Sequence, residues 1–493
     1  MVLLEAEVHS SLRAYLREQN PSHWPHHLTM GRIIARALRT GRSALIQTGS
    51  TRSRYALAYL TPALLGGTSA VIVTTEIPQL LQEVNGLQSA LKTHKEIIVN
   101  DRYPDNFQGL VFTTPQVWLK DKLENLRGFP AGIPTLIDGC DSLEAWARDY
   151  LSVSITLEDW QTVKDTHPER KDLIDTIYLR LSNSILSHPP NPYRCYLLDT
   201  REQQDLERLL NTIEFTPAST FGSLKERISL ENQLLWTSAD RDEFTLHISP
   251  LEIASILQPL WGEQPVVLIG EFLDTRKDAK NYRQQHGLGE MLTLKFNIDR
   301  TTEYIHLYLP EKLPLPNTPE FEKVLLEQVS QLINIYRINQ KPIIILIEDV
   351  PLKAKIGTIL ASLFGSKVQV ENPRINSDGI LVCGWEFWQK HQEKIETPQL
   401  LIMATLPIPS PENPLVAGRI AYYKHQHKDW FRSYLLPTAV QNIQKAVMSL
   451  RECQGMVAIL DSRVNSRSYG VEIFNALTPY ARINYLDTPL FND

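Results

Sequence analysis

The sequence predicts an α/β protein built from two parallel-sheet domains, with a helical insertion in the first. Three observations carry that prediction. Short β-branched runs alternate with helical patterns along most of the chain, one long charged stretch interrupts the alternation, and a second alternating unit follows a Pro-rich seam. Strands that alternate with helices build a parallel sheet covered on both faces. At 493 residues the chain is too long for one ordinary core, which agrees with more than one domain.

Residues 28–65 read as helix (LTMGRIIARAL), strand (SALIQ), loop (TGSTRSR) and helix (YALAYLTPALL). A buried strand feeding a polar loop that opens a helix is the geometry of a phosphate-binding turn. SAVIVTT (69–75), EIIVN (96–100), GLVFTT (109–114) and PTLIDGCD (134–141) continue the strand pattern, so residues 1–150 form the first part of the first domain. Residues 151–244 are charged, lack a convincing apolar strand run and are split by SHPPNPY, which reads as a helical insertion. PVVLIGEF (265–272) returns the chain to the first domain over 245–298. The second domain, 299–493, holds IHLYLP, a helix from about 319 to 337, PIIILIED, GILVCGW, QLLIMATLP and GMVAILDSR, with EKLPLPNTPE (311–320) as the seam.

Hydrophobic content of 43% and charged content of 22% describe a folded soluble chain. A net charge of −6 supplies no bulk attraction to nucleic acid, so any such surface has to be a local basic groove. No run approaches the roughly 18 apolar residues of a membrane span, and the opening residues lack a signal-peptide pattern, so a cytoplasmic protein without a membrane partner is expected. Cys140, Cys195, Cys383 and Cys453 are scattered without a CxxC spacing. That argues against a zinc site, an iron–sulfur cluster and disulfides, and leaves four buried single thiols as the expectation. His23, His26 and His27 cluster in HWPHH, but Pro25 breaks the helical spacing a metal site would use, so a surface turn is expected.

The order of short motifs is more specific. GWEFWQK (384–390), TLPIPSPENPL (405–415), DWFRSYLLPTAVQNIQ (429–444) and GMVAILDSRVNSRSYG (455–470) follow one another as in the DinG/XPD-type superfamily 2 DNA helicases. TGSTRSRYALAYLTPAL (48–64), PTLIDGCDSLEAWAR (134–148) and VLIGEFL (267–273) sit where that family has its Walker A loop, DEAH box and coupling motif. The resemblance covers nearly all of the chain except 151–244, the place of the family's arch. It implies two RecA-like domains. The segment that carries four cluster cysteines in many relatives is missing between Asn100 and Gly109.

Against that pattern the nucleotide chemistry is depleted. A phosphate loop needs glycines whose N–H groups wrap the phosphates, then a Lys and a Ser/Thr. Here Gly49 and Ser50 are followed by Thr51, Arg52 and Ser53, Arg54 takes the lysine position, and Tyr55 takes the magnesium ligand's. Arginine is not interchangeable with lysine at a tight site. Asp138 keeps the metal-facing carboxylate, but Gly139 removes the water-orienting glutamate. Asp141 is a poor stand-in. Gln444 and Arg451 of the last helix motif remain, Arg451 as either an arginine finger or a solvated helix residue, while Val447 and Met448 replace its centre. His27 stands where the adenine-reading glutamine belongs. These residues are therefore read as vestigial.

Trp430, Arg463 and Arg467 lie in aromatic and basic segments suited to stacking bases and holding phosphates, or to packing and solvation. Trp385, Phe387 and Trp388 read as core, and Arg32, Arg36 and Arg39 as a solvated helix face. The reading is a pseudo-helicase that binds single-stranded nucleic acid or a protein complex without ATP hydrolysis and needs no cofactor. Two alternatives stand beside it: an active ATP-dependent helicase with an unorthodox Mg-ATP site, and a protein-only scaffold subunit.

Overall fold

Each β-branched run is bounded by polar turn residues, and each folds as a strand of three to eight residues. A computed structural model describes residues 3–19, 24–240, 243–336 and 340–483. In chain order the strands are β1 (Ala44–Gln47), β2 (Ala70–Val73), β3 (Glu96–Val99), β4 (Gly109–Thr113) and β5 (Thr135–Asp138). The insertion supplies β6 (Val153–Ile155), β7 (Cys195–Leu197), β8 (Gln233–Asp240) and β9 (Glu243–Pro250). Then come β10 (Val266–Gly270), β11 (Leu292–Lys295), β12 (Ile305–Tyr308), β13 (Ile343–Leu346), β14 (Val368–Val370), β15 (Ile380–Cys383), β16 (Leu400–Met403), β17 (Met456–Ile459) and β18 (Tyr480–Ile483).

The first lobe is a parallel sheet in the order β11-β1-β10-β5-β2-β4-β3. β1, β2, β4, β5 and β10 are buried along their whole length, which is why apolar residues dominate each of them. Because β10 lies between β1 and β5, the C-terminal ends of these three strands stand side by side. In an open α/β sheet that edge is where ligands are bound. The second lobe is a parallel sheet in the order β14-β15-β13-β16-β17-β12-β18. The helix Phe321–Tyr336 covers it with Phe321, Leu325, Val329, Leu332 and Ile333. The mixed α/β architecture with two parallel sheets is as expected.

Both lobes belong to one compact unit, 1–146, 254–407 and 436–493. The chain passes from one lobe to the other between β11 and β12, ahead of the Pro-rich 311–320. A separate unit joins 147–253 to 408–435. This unit corrects the helical insertion of 151–244: it carries an antiparallel sheet in the order β6-β9-β8-β7 as well as helices. Along β9, Phe244, Leu246 and Ile248 are buried and the residues between them are not. That period-two signal lies in EFTLHISP, where a strand buried on one face never forms an apolar run. β9 therefore leaves the expected return segment 245–298, and 408–435 leaves the expected second domain 299–493. The helix Pro414–His425 packs on the sheet through Gly418, where a Cβ would lie 2.5 Å from Leu234 Cδ1. Among the described residues no helix is long and apolar enough to cross a membrane. Cys140, Cys195 and Cys383 are buried free thiols; Cys453 is exposed, contrary to expectation, because it follows the short helix Met448–Glu452 at the surface.

Candidate functional site

The loop after β1 is shaped by the strand next to it. Thr48 N–H donates to Gly270 O at 2.8 Å and Gly49 N–H to Glu271 O at 3.1 Å, so the loop's first amides extend the sheet. Gly49 has φ +61°, and a Cβ there would lie 3.2 Å from Phe296 O, which leaves only glycine free of strain. Ser50 is buried. The helix Arg52–Leu65 begins immediately afterwards.

Asp138 ends β5 with no solvent exposure. Tyr55 Oη donates to its Oδ1 at 2.8 Å and Tyr59 Oη to its Oδ2 at 3.1 Å. These tyrosines are one helical turn apart and share a face. Arg52 Nε lies 2.8 Å from Oδ2 as an ion pair, its N–H not aligned for a hydrogen bond. Burial raises the Asp138 pKa, and Arg52 and the two phenols oppose that shift without cancelling it. Burial also lifts both phenols well above their usual range, so they stay protonated donors. Glu83, nearby, is pushed up to about 7 by burial and then by the Asp138 charge. Gly139 has φ +77°, and a Cβ there would lie 2.4 Å from Arg52 Nη2. A side chain at 139 and the Arg52 guanidinium exclude one another.

Arg54 turns the other way and pairs with the buried Glu303, just ahead of β12. Glu303 Oε2 accepts Asp299 N–H at 2.9 Å. Thr51 Oγ1 donates to Glu452 Oε1 at 2.7 Å. Arg451 is neither a free finger nor a solvated residue: it is buried, and its guanidinium donates to Leu477 O (2.8 Å), Pro479 O (3.0 Å) and Glu303 O (3.2 Å). Burial pushes its pKa down to about 10. Gln444 is buried on the helix Leu436–Ala446, and Gln441 of the same helix donates to Phe272 O at 3.1 Å. Asp141 accepts the Glu271 and Phe272 amides, each at 2.8 Å, which joins the β5 end to the segment after β10.

His27 is no base reader as placed. It is buried, with Nδ1 2.6 Å from Trp24 O and Nε2 2.6 Å from Arg54 O, so it braces the start of the loop helix. His26 Nε2 lies 2.9 Å from Asn297 O and its ring stacks on Phe296; His23 lies outside the described residues. Arg463 grips Asp461 through Nε and Nη2, at 2.9 Å and 2.6 Å, while Arg467 is exposed. In the smaller unit, Trp430 is half-buried beneath the Lys424 ammonium, 5.6 Å from its ring centre. In that unit His188, Asp199 and Glu202 have ligand atoms within 4.8 Å of one another, but the two carboxylates form a helix capping box and His188 pairs with Glu202. Sequence reasoning missed Arg52, Tyr59, Glu303 and Glu452 as partners. Only the Tyr55–Tyr59 spacing carried a local signal.

Helicase C-terminal domain is the family description that matches, over residues 371–480. The ATP-dependent DNA helicase YoaA of Escherichia coli K12 is 23% identical over 287 residues, 54% of this chain and 45% of that protein. YoaA of Haemophilus influenzae is 30% identical over 111 residues, 22% of this chain and 17% of that one. This chain therefore spans less than half the length of the curated relatives it matches. An apo XPD structure superposes with a TM-score of 0.63 at 13% identity, covering 93% of this chain and all of that one. The S. tokodaii Xpd4 structure gives 0.61 at 14% identity, with coverage of 93% and 100%. The two parallel-sheet lobes are thus RecA-like domains arranged in sequence as in XPD, and the chain is a helicase-fold protein related to the DinG/XPD-type superfamily 2 helicases.

Proposed function

We propose that this protein works by binding, without ATP hydrolysis, and that its ligand is single-stranded nucleic acid. The observation that carries the first part is the Asp138 cage. A magnesium ion needs free carboxylate oxygens with room for water around them, and here both oxygens of Asp138 face Arg52, Tyr55 and Tyr59. Arg54 is committed to Glu303, and the Thr48 and Gly49 amides to β10 and the residue after it. Mg-ATP does not fit these residues as arranged.

The second part rests on local charge in a chain of net −6. Residues 419–432 carry Arg419, Lys424, Lys428 and Arg432 against Asp429 alone, interleaved with Tyr422, Tyr423, Trp430 and Phe431. Cations among half-buried rings suit a phosphate backbone with stacked bases.

The test is one purified sample followed by thermal shift and phosphate release, with and without single-stranded DNA. A ligand at a hundred times its Kd adds about 2.7 kcal/mol to stability. We expect no shift with Mg-ATP or Mg-ADP and no release. We also expect DNA binding that weakens with salt and with Lys424→Ala or Trp430→Ala. DNA-stimulated phosphate release that Arg54→Ala abolishes would establish an active motor instead. Absence of any salt-sensitive DNA binding would leave a protein partner as the ligand.

A further inference from the structure

We infer that residues 51–54 are a strap that holds the two lobes in one arrangement with no nucleotide between them. The inference rests on the reading above, in which these residues no longer cup phosphates. Thr51 reaches Glu452 of the second lobe, and Arg54 reaches Glu303 at the base of β12. The strap does not end at Glu303. Its carbonyl accepts from Arg451, whose guanidinium also holds Leu477 O and Pro479 O, so a continuous polar chain runs from the loop to the end of the second lobe's last helix.

Two further crossings support it. Gln441 of the second lobe donates to Phe272 O of the first, and Lys445, one turn along the same helix, opposes the rise in the Glu271 pKa that burial and then the Asp141 charge produce. The linker itself is pinned where His26 meets Asn297 O and stacks on Phe296. Breaking one side of a buried ion pair leaves an uncompensated charge, so opening the lobes is opposed at Arg54 and Glu303. Hinge closure in a two-lobed protein is ordinarily set by the ligand between the lobes. Here side chains take over that role, and the spacing of the lobes becomes a property of the fold.

The experiment is a distance distribution between two spin labels in the full chain. Labels go at Ser89→Cys in the helix Ile77–Leu91 and Ser362→Cys in the helix Val350–Phe364, with the exposed Cys453 changed to Ser. The expected result is one narrow distribution, unmoved by a non-hydrolysable ATP analogue with magnesium. Arg54→Glu should broaden it by roughly a factor of two, since the buried pair becomes like-charged, and Arg54→Glu with Glu303→Arg should narrow it again. If Arg54→Glu does not fold, Glu303→Gln gives the same reading in milder form. A wild-type distribution as broad as either variant's, a shift on adding the nucleotide analogue, or a folded charge swap that restores nothing would overturn the strap. Phosphate release with an unmoved distance would count against the binding-only function and leave the strap standing. A broad distribution without release would do the reverse.

Discussion

Asp138 and Asp461 stand at matching places in the two lobes, yet they are held in different ways. Each lies at or just past the C-terminal end of a strand in a parallel sheet, each is fully buried, and each is paired with an arginine. The partner of Asp461 is two residues away, and its carboxylate also accepts the Arg463 and Leu406 amides. The partner of Asp138 comes from the helix after β1 and is joined by two phenols from the same helix. The local pair is a turn device with backup donors. The non-local pair is a plug whose removal exposes a buried charge.

Removing the two arginines should separate the cases most. Arg52→Ala should destabilise by about 3–5 kcal/mol, because a buried carboxylate loses its countercharge. Arg463→Ala should cost about 1.5 kcal/mol, since backbone donors remain. Urea denaturation of both variants checks this, and equal losses would break the comparison.

Gly139→Ala comes next. A left-handed φ of +77° is strained for alanine by about 1–2 kcal/mol, and the added Cβ also meets Arg52 Nη2. In an Arg52→Ala background only the backbone strain should remain. A double-mutant cycle that shows no coupling would mean that the guanidinium does not stand where Gly139 makes room.

Tyr55→Phe should cost about 1 kcal/mol for one lost hydrogen bond to Asp138. Tyr59→Phe, with its longer bond, should cost no more.

The smallest effect is a pH trend shared by the lobes. Burial and the Asp138 charge push Glu83 from 4.5 up to about 7, with Arg52 opposing. Burial likewise pushes Glu348 of the second lobe from 4.5 up to about 7, opposed by Lys353. Each folded-state carboxyl holds its proton where the unfolded chain has lost it, so stability should fall as pH rises from about 4.5 to about 7. Melting temperatures across that window should flatten in Glu83→Gln and in Glu348→Gln. Only the Glu83 contribution should change when Arg52 is also removed.

The central strands of both lobes were legible because a parallel strand buried on both faces is a largely apolar run, as in ALIQ, VVLIG, IIIL and MVAI. β11, β14 and β18, at the sheet edges, are short and mixed and were not. The insertion's sheet was not legible either, because β9 buries one face and alternates with polar residues, and β8 is only half-buried along most of its length. At the site, Arg54, Tyr55 and Gly139 could be read as departures from a phosphate loop and an acid pair, since those motifs are defined by spacing. The partners those residues take could not be read.

Two α/β lobes, the order of their motifs and the positions that depart from a phosphate loop and an acid pair are all legible in the chain alone. Each of these is written in neighbouring residues or in a short period. That Arg52 covers Asp138, that Gly139 clears space for it, that Arg54 ties to Glu303 and that Arg451 turns inward all depend on the folded chain. These pairings depend on which strand ends the sheet order brings together. No local pattern encodes that, because the energy of a buried charge is set by neighbours far away along the chain.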